Sequence, residues 1–188
     1  VNPPPGVVCQ PGIDLGFTVA ICLPYWDGDL NEDSHRQRHW SREIAQKIHE
    51  RFNGNINILA WNWLPEATGS FSEASGHIDR QAERLATTLS ELLPPNYPGP
   101  VHLMGHSMGS HVVTVCAVRL GQHQPNVVGA YPPAQVTLWD TPDLAIGKGN
   151  IEENVKVLRR AGVYVDSYHG LTNVETHSAN LWVNVPGP

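Results

Sequence analysis

The stretch Val101-His102-Leu103-Met104-Gly105-His106-Ser107-Met108-Gly109-Ser110-His111-Val112-Val113 decides how this chain folds. Its first four residues form a short apolar run of the kind that makes a buried strand, and the residues from Ser110 to Leu120 suit a helix. Between them stands Gly105-His106-Ser107-Met108-Gly109, a G-x-S-x-G turn. Strand, G-x-S-x-G, helix is the pattern of a nucleophile elbow. A serine at the tip of so sharp a turn has a strained backbone, and glycines two positions to either side let strand and helix pack closely. Its hydroxyl then stands above the sheet edge. The N–H of the next residue, Met108, points into the same space, where it can hold an oxyanion. The same five residues could also make a plain glycine-rich turn, so the reading leans on what surrounds them.

Outward from the elbow, strand-like and helix-like segments alternate. Phe17 to Leu23 is a continuous apolar run, as expected of a strand covered on both faces, and Pro24-Tyr25-Trp26-Asp27-Gly28-Asp29 ends it in a loop. Ser34 to Arg51 reads as a helix with Trp40, Ile44, Ile48 and Phe52 near one stripe. Ile56 to Trp61 is the next strand, Leu64 to Ser75 a loop, and Ile78 to Leu92 a helix with Leu85, Leu89 and Leu92 on one side. Beyond the elbow, Gln135 to Asp140 is a strand ending in an acid, Ile151 to Ala161 a helix, and Gly162 to Asp166 a strand ending in another acid. Leu181-Trp182-Val183 is a short edge strand or part of a final helix. This alternation predicts an α/β fold with a mainly parallel central sheet flanked by helices, in one domain over 1–188 with a proline-rich arm at 1–12. Sites in such sheets lie at the carboxyl ends of the strands, where Ser107, Asp140, Asp166 and the Pro24–Asp29 loop are all expected.

Composition narrows the class. Hydrophobic residues make up 40% and charged residues 16% of 188, and the formal net charge is −6. A chain this acidic, without a basic run, has no electrostatic pull toward nucleic acid. No apolar stretch approaches the length of a transmembrane span. The three cysteines, Cys9, Cys22 and Cys116, allow one disulfide at most, and Cys22 and Cys116 read as small core residues. The chain starts at Val1 with no signal peptide, and we expect a secreted rather than a cytoplasmic protein. His35 and His39, near Glu32 and Asp33, are spaced for one helix face that could bind a metal, but an exposed helix face is the favoured reading. We expect no metal and no cofactor.

A serine nucleophile needs a base, and the base needs an orienting acid. Chain order Ser, acid, His leaves His177 or His169 as base and Asp140 or Asp166 as acid. Loop placement favours His177, because His169 lies close to the end of the strand before it. The two acids stay open on residue pattern alone, since a strand-end aspartate also serves turns and helix caps. His106, beside the nucleophile, is expected to pack beneath the elbow. Trp26, Trp61 and Trp63 stand near strand ends, where they line an apolar acyl pocket or fill the core.

Taken together these segments resemble the lipase family typified by pancreatic and lipoprotein lipases, with small bacterial relatives, which has the α/β-hydrolase fold. The resemblance rests on Phe17 through Trp26, on Asn57 through Trp63, on Val101 through Val113, on Leu138-Trp139-Asp140-Thr141-Pro142 and on Tyr164 through His169. It implies Asp140 as the triad acid and His177 as the base. It also places Trp26 N–H beside Met108 N–H in the oxyanion hole. Pro24-Tyr25 stands where the family has His-Gly, which makes Tyr25 an alternative donor. Ten residues separate Asp166 from His177, too few for the family's lid. The resemblance therefore implies an esterase or lidless lipase acting on a small-molecule ester or lipid. The alternatives are an acyltransferase or thioesterase with the same triad, or a catalytically silent binding module on the same fold.

Overall fold

The computed structural model describes residues 7–8, 17–23, 43–63, 66–67, 69–93, 97, 99–122, 133–142, 151–170 and 179–184. The strands are β1 (Val7–Val8), β2 (Phe17–Leu23), β3 (Ile56–Asn62), β4 (Val101–His106), β5 (Gln135–Trp139), β6 (Tyr164–His169) and β7 (Leu181–Asn184). The helices are α1 (43–51), α2 (Phe71–Gly76), α3 (Ile78–Leu92), α4 (Met108–Gln122) and α5 (Ile151–Arg160). The strands form one sheet in the order β1-β3-β2-β4-β5-β6-β7. Every pairing is parallel except β1 with β3. Parallel strands need crossovers, and helices supply them between β2 and β3, β3 and β4, β4 and β5, and β5 and β6.

The period of two in each strand divides the core in two. Val101, Leu103, Val136, Leu138 and Val165, all at 3% exposure or less, lie beneath α3, α4 and α5. α4 runs between α3 and α5, which is why Met108, Val112, Val113, Cys116 and Ala117 are all fully buried. α3 buries a single stripe, Ile78, Ala82, Leu85 and Leu89, at helical spacing. On the opposite sheet face, α1 brings Ile44, Ala45 and Ile48 onto Ile56, Ile58, Met104 and Trp139.

Several sequence expectations change. Of the helix expected over 34–51, the described part is 43–51. The stretch 64–75, expected as a loop, contains the start of α2, whose N-cap Ser70 and Glu73 form a capping box. α4 begins at Met108, directly after the serine. β6 runs from Tyr164 to His169 and not from 162 to 166, because Gly162 has φ 84° and closes the turn out of α5. That shift places Asp166 within the strand instead of at its end. Residues 181–184 are a strand, parallel to β6. Val7–Val8, in the arm, pairs with Ala60 and Trp61 at the sheet edge.

Candidate active site

Ser107 follows the last residue of β4 with φ 51°, a left-handed conformation unfavourable for any residue with a Cβ. Three hydrogen bonds hold it there. Its N–H donates to Trp139 O at 2.8 Å, and its own carbonyl accepts from Ser110 N–H at 2.9 Å. Ser110 Oγ in turn donates to Gly105 O at 2.9 Å. Gly105 has to be glycine here: a Cβ would overlap the Gly109 carbonyl and lie 2.7 Å from Ser110 Cα. Met108 is the first residue of α4, so its N–H belongs to the helix turn whose donors lack intrahelical acceptors. Its side chain is fully buried.

Asp140 follows the last residue of the neighbouring strand, β5, and is also left-handed, with φ 46°. Its N–H donates to Tyr168 O at 2.9 Å, and its Oδ1 accepts from Gly170 N–H at 2.5 Å. Its Oδ2 lies 3.9 Å from His106 Nε2. Two residues on, Pro142 O accepts from His111 Nε2 of α4 at 3.0 Å. The carboxylate is thus held by the residue that follows β6, and its loop by the elbow helix, while it remains partly exposed. Burial lowers the His106 pKa, and the Asp140 charge partly offsets this.

Asp166 occupies a different environment from the one its sequence context predicts. It is 5% exposed, and its Oδ1 accepts from Thr137 Oγ1 and Gln135 Nε2, each at 2.9 Å. Thr137 also meets His102 Nε2 at 2.7 Å, so these side chains form a polar network inside the sheet. Burial lowers the His102 pKa against the pull of Asp166, and burial, with Asp166 alongside, raises that of Tyr168. His169, the alternative base, is 1% exposed, with Nε2 2.8 Å from Ser167 Oγ. Trp61 and Trp63 are core residues, at 5% and 1% exposure. Trp61 Nε1 donates to Gln81 at 3.1 Å and its ring lies under the Arg84 guanidinium.

The structure therefore brings Ser107, Met108 and Asp140 together at the carboxyl edge. His177, Trp26, Tyr25, His35 and His39 lie outside the described residues. Sequence reasoning missed Gly170 and His111, which hold the Asp140 loop; the signal for His111 was its place one helical turn after Ser107. Among the described residues, no group of three or more His, Cys, Asp or Glu side chains is placed to hold a metal. No described helix is long and apolar enough to cross a membrane.

No known family model matches the chain. Pancreatic lipase-related protein 2 of Sus scrofa is 29% identical to it over 118 residues, which cover 61% of this chain and 23% of that protein. The chain thus spans about a quarter of the length of that relative. Among solved structures, YbtT, a type II thioesterase from the yersiniabactin NRPS/PKS biosynthetic pathway, superposes with a TM-score of 0.52 at 15% identity. The match covers 96% of this chain and 89% of that one. A serine-to-alanine mutant of the same protein gives 0.53 with the same coverage. The fold is that of the α/β-hydrolases.

Proposed function

We propose that the protein is a serine hydrolase that cleaves carboxylic esters through an acyl-enzyme intermediate. The observation that carries this is the left-handed Ser107 beside a left-handed Asp140 whose carboxylate is held by Gly170 N–H. Ser107 Oγ attacks the ester carbonyl carbon as His177 takes its proton. The carbonyl π electrons move to oxygen, where Met108 N–H and the N–H of Trp26 or Tyr25 hold the charge. Collapse expels the alcohol, which receives the proton from His177. Water then repeats the sequence on the acyl-enzyme and releases the acid. Asp140 orients the imidazole and stabilises its charged form. The 118-residue likeness to pancreatic lipase-related protein 2 supports a hydrolase reading, and ester chemistry is the part of it we propose.

The base places a specific demand on the chain. His177 precedes Ala179 by two residues, and Asn180 N–H donates to Val165 O at 2.7 Å. β7 lies three strands from β4, a lateral distance of about 14 Å at ordinary strand spacing. A two-residue tether spans about 7 Å at most. Asn180 enters β7 level with Val165, near the amino ends of the strands, while Ser107 stands past their carboxyl ends, so for the His177 imidazole to meet Ser107 the contacts between Asn180 and Val165 have to open. His169 is the second reading, favoured by its place next to Gly170, the donor to Asp140. To act, its ring has to leave Ser167.

A fluorophosphonate probe and p-nitrophenyl esters from acetate to palmitate test the assignment. The wild-type chain is expected to be labelled on Ser107 and to turn over the shorter esters. S107A and H177A are expected to lose both activities, and H169A to keep them. Loss in H169A with retention in H177A moves the base to His169. Absence of labelling in the wild-type chain, with the fold intact, leaves the silent binding module.

A further inference from the structure

We propose that Ser110 is a positioning residue for the reaction, holding the acid Asp140 in register with the nucleophile Ser107, and that His111 completes the hold. The proposal rests on the assignment of Ser107 and Asp140 given above. Ser110 is the third residue of α4 and is fully buried. Its N–H donates to Ser107 O at 2.9 Å. An ordinary helix start hands that donor to the side chain of the residue before the helix, so the backbone contact spares the Ser107 hydroxyl for attack. The Ser110 Oγ lies 2.9 Å from Gly105 O and 3.2 Å from Trp139 O, and its one proton is shared between the two carbonyls. Gly105 stands just before His106 and the nucleophile, and Trp139 directly precedes the acid. One oxygen atom thus ties the elbow to the strand that delivers Asp140.

His111, the next residue of α4, takes hold on the far side of the acid. Its Nε2 lies 3.0 Å from Pro142 O. A carbonyl oxygen only accepts, so Nε2 carries the proton. Two consecutive α4 residues therefore grip the carbonyls of Trp139 and Pro142, and Asp140 and Thr141 are bracketed between them. Thr141 is fully buried, and its Oγ1 meets no hydrogen-bond partner among the described residues. That side chain does not anchor the segment, so its place is set through the backbone. The hold matters because Asp140 has φ 46°, a conformation that persists only where its surroundings enforce it. With the bracket in place, Asp140 N–H reaches Tyr168 O at 2.9 Å and Oδ1 reaches Gly170 N–H at 2.5 Å. Loss of the Ser110 hydroxyl leaves Ser107 N–H still bonded to Trp139 O. It loosens the approach of β5 to α4 and removes no group that touches substrate.

Kinetics and one resonance test this. S110A deletes a single oxygen and creates no clash. Its kcat for p-nitrophenyl acetate is expected to fall about tenfold, with KM within about twofold of the wild type; a full ångström of misplacement can cost about a hundredfold. H111L is expected to lose a similar factor, and H111Q, whose amide can still donate to Pro142 O, to recover most of it. In a D140N background, S110A is expected to change the rate of fluorophosphonate labelling by less than about twofold, since no carboxylate charge is left to place. The second readout requires no turnover. The Gly170 amide proton, shifted downfield by its bond to the carboxylate, is expected to move in S110A part of the way toward its position in D140N. A purely structural role would lower the urea midpoint and leave kcat and the resonance where they were. Wild-type kcat in S110A, or an unmoved Gly170 resonance, overturns the proposal, and so does a tenfold loss that persists in D140N. If Ser107 of the wild type is never labelled, the hydrolase reading fails, and the Gly170 resonance alone decides whether Ser110 holds Asp140.

Discussion

Ser107 and Asp140 end two paired strands at the same level, and both have left-handed backbones, at φ 51° and 46°. The coincidence has a mechanical result. Each chain turns sharply as it leaves the sheet, so a hydroxyl and a carboxylate stand above the carboxyl edge and not on either face. The Trp139 carbonyl, which accepts from Ser107 N–H, locks the two turns together. Left-handed residues with a Cβ cost about 1–2 kcal/mol each, so this edge stores strain for the sake of geometry.

Replacing Ser107 separates that strain from the chemistry. Ser107→Ala and Ser107→Gly are both expected to remove ester turnover and fluorophosphonate labelling. The glycine variant, free of the Cβ penalty, is expected to be more stable than the alanine variant by about 1 kcal/mol. Urea denaturation of the two purified variants checks this. Equal stabilities would mean that the backbone at 107 is not left-handed in solution.

Gly105→Ala is expected to be far more damaging than its single methyl group suggests. The added carbon would meet backbone atoms, Gly109 C at 2.6 Å and Ser110 Cα at 2.7 Å, and backbone has no rotamer with which to yield. A cost of about 3 kcal/mol is expected, at the upper end for overpacking. Lower urea midpoints together with lost labelling would show that the approach of strand to helix carries both the fold and the nucleophile.

How far the sequence could be read follows from which signals are local. The elbow was legible because G-x-S-x-G forces one geometry, β2 because Phe17 to Leu23 is a nearly unbroken apolar run, and β4 and β5 because short apolar stretches stand before the elbow serine and before a strand-end acid. The capping box at Ser70 and Glu73 was equally local and was overlooked behind the surrounding polar residues. The end of β6 was not legible. Tyr164-Val165-Asp166-Ser167-Tyr168-His169 lacks an apolar run because its polar side chains are satisfied across the sheet, Asp166 by Thr137 and Gln135. Those partners lie about thirty positions away, and no pattern within the strand announces them. The anchoring of Asp140 by Gly170 is equally non-local.

The two acids are expected to respond in opposite ways. Asp140→Asn retains a residue type that tolerates the left-handed backbone and an oxygen that can accept from Gly170. It removes the charge that orients the base, so kcat is expected to fall by several orders of magnitude with little change in stability. Asp166→Asn alters a buried network distant from the edge and is expected to cost about 1–2 kcal/mol while hydrolysis persists. Rates and urea midpoints measured on both variants decide this, and a catalytic loss in Asp166→Asn alone would transfer the acid role to that residue.

Acid should destabilise this protein before its carboxylates titrate. His102 and His106 both have pKa values lowered in the fold, chiefly by burial. The unfolded chain therefore binds more protons at these two positions than the folded chain does, and stability rises with pH in that range. The loss is expected to begin as pH falls through about 6.5, the ordinary histidine value, and to continue down to the lowered folded values. The carboxylates whose pKa values are lowered in the fold, Glu66, Glu73 and Glu153, act in the same direction only at lower pH, below the ordinary carboxylate value of 4.5. Between about pH 6.5 and 4.5 the dependence therefore reports on the histidines. His102→Gln, whose amide can still donate to Thr137, is expected to flatten the dependence there without abolishing it, since His106 remains. Urea midpoints taken at half-unit steps from pH 5 to 8 measure the slope, and a wild-type protein equally stable across that interval would show that neither ring is held neutral by the fold.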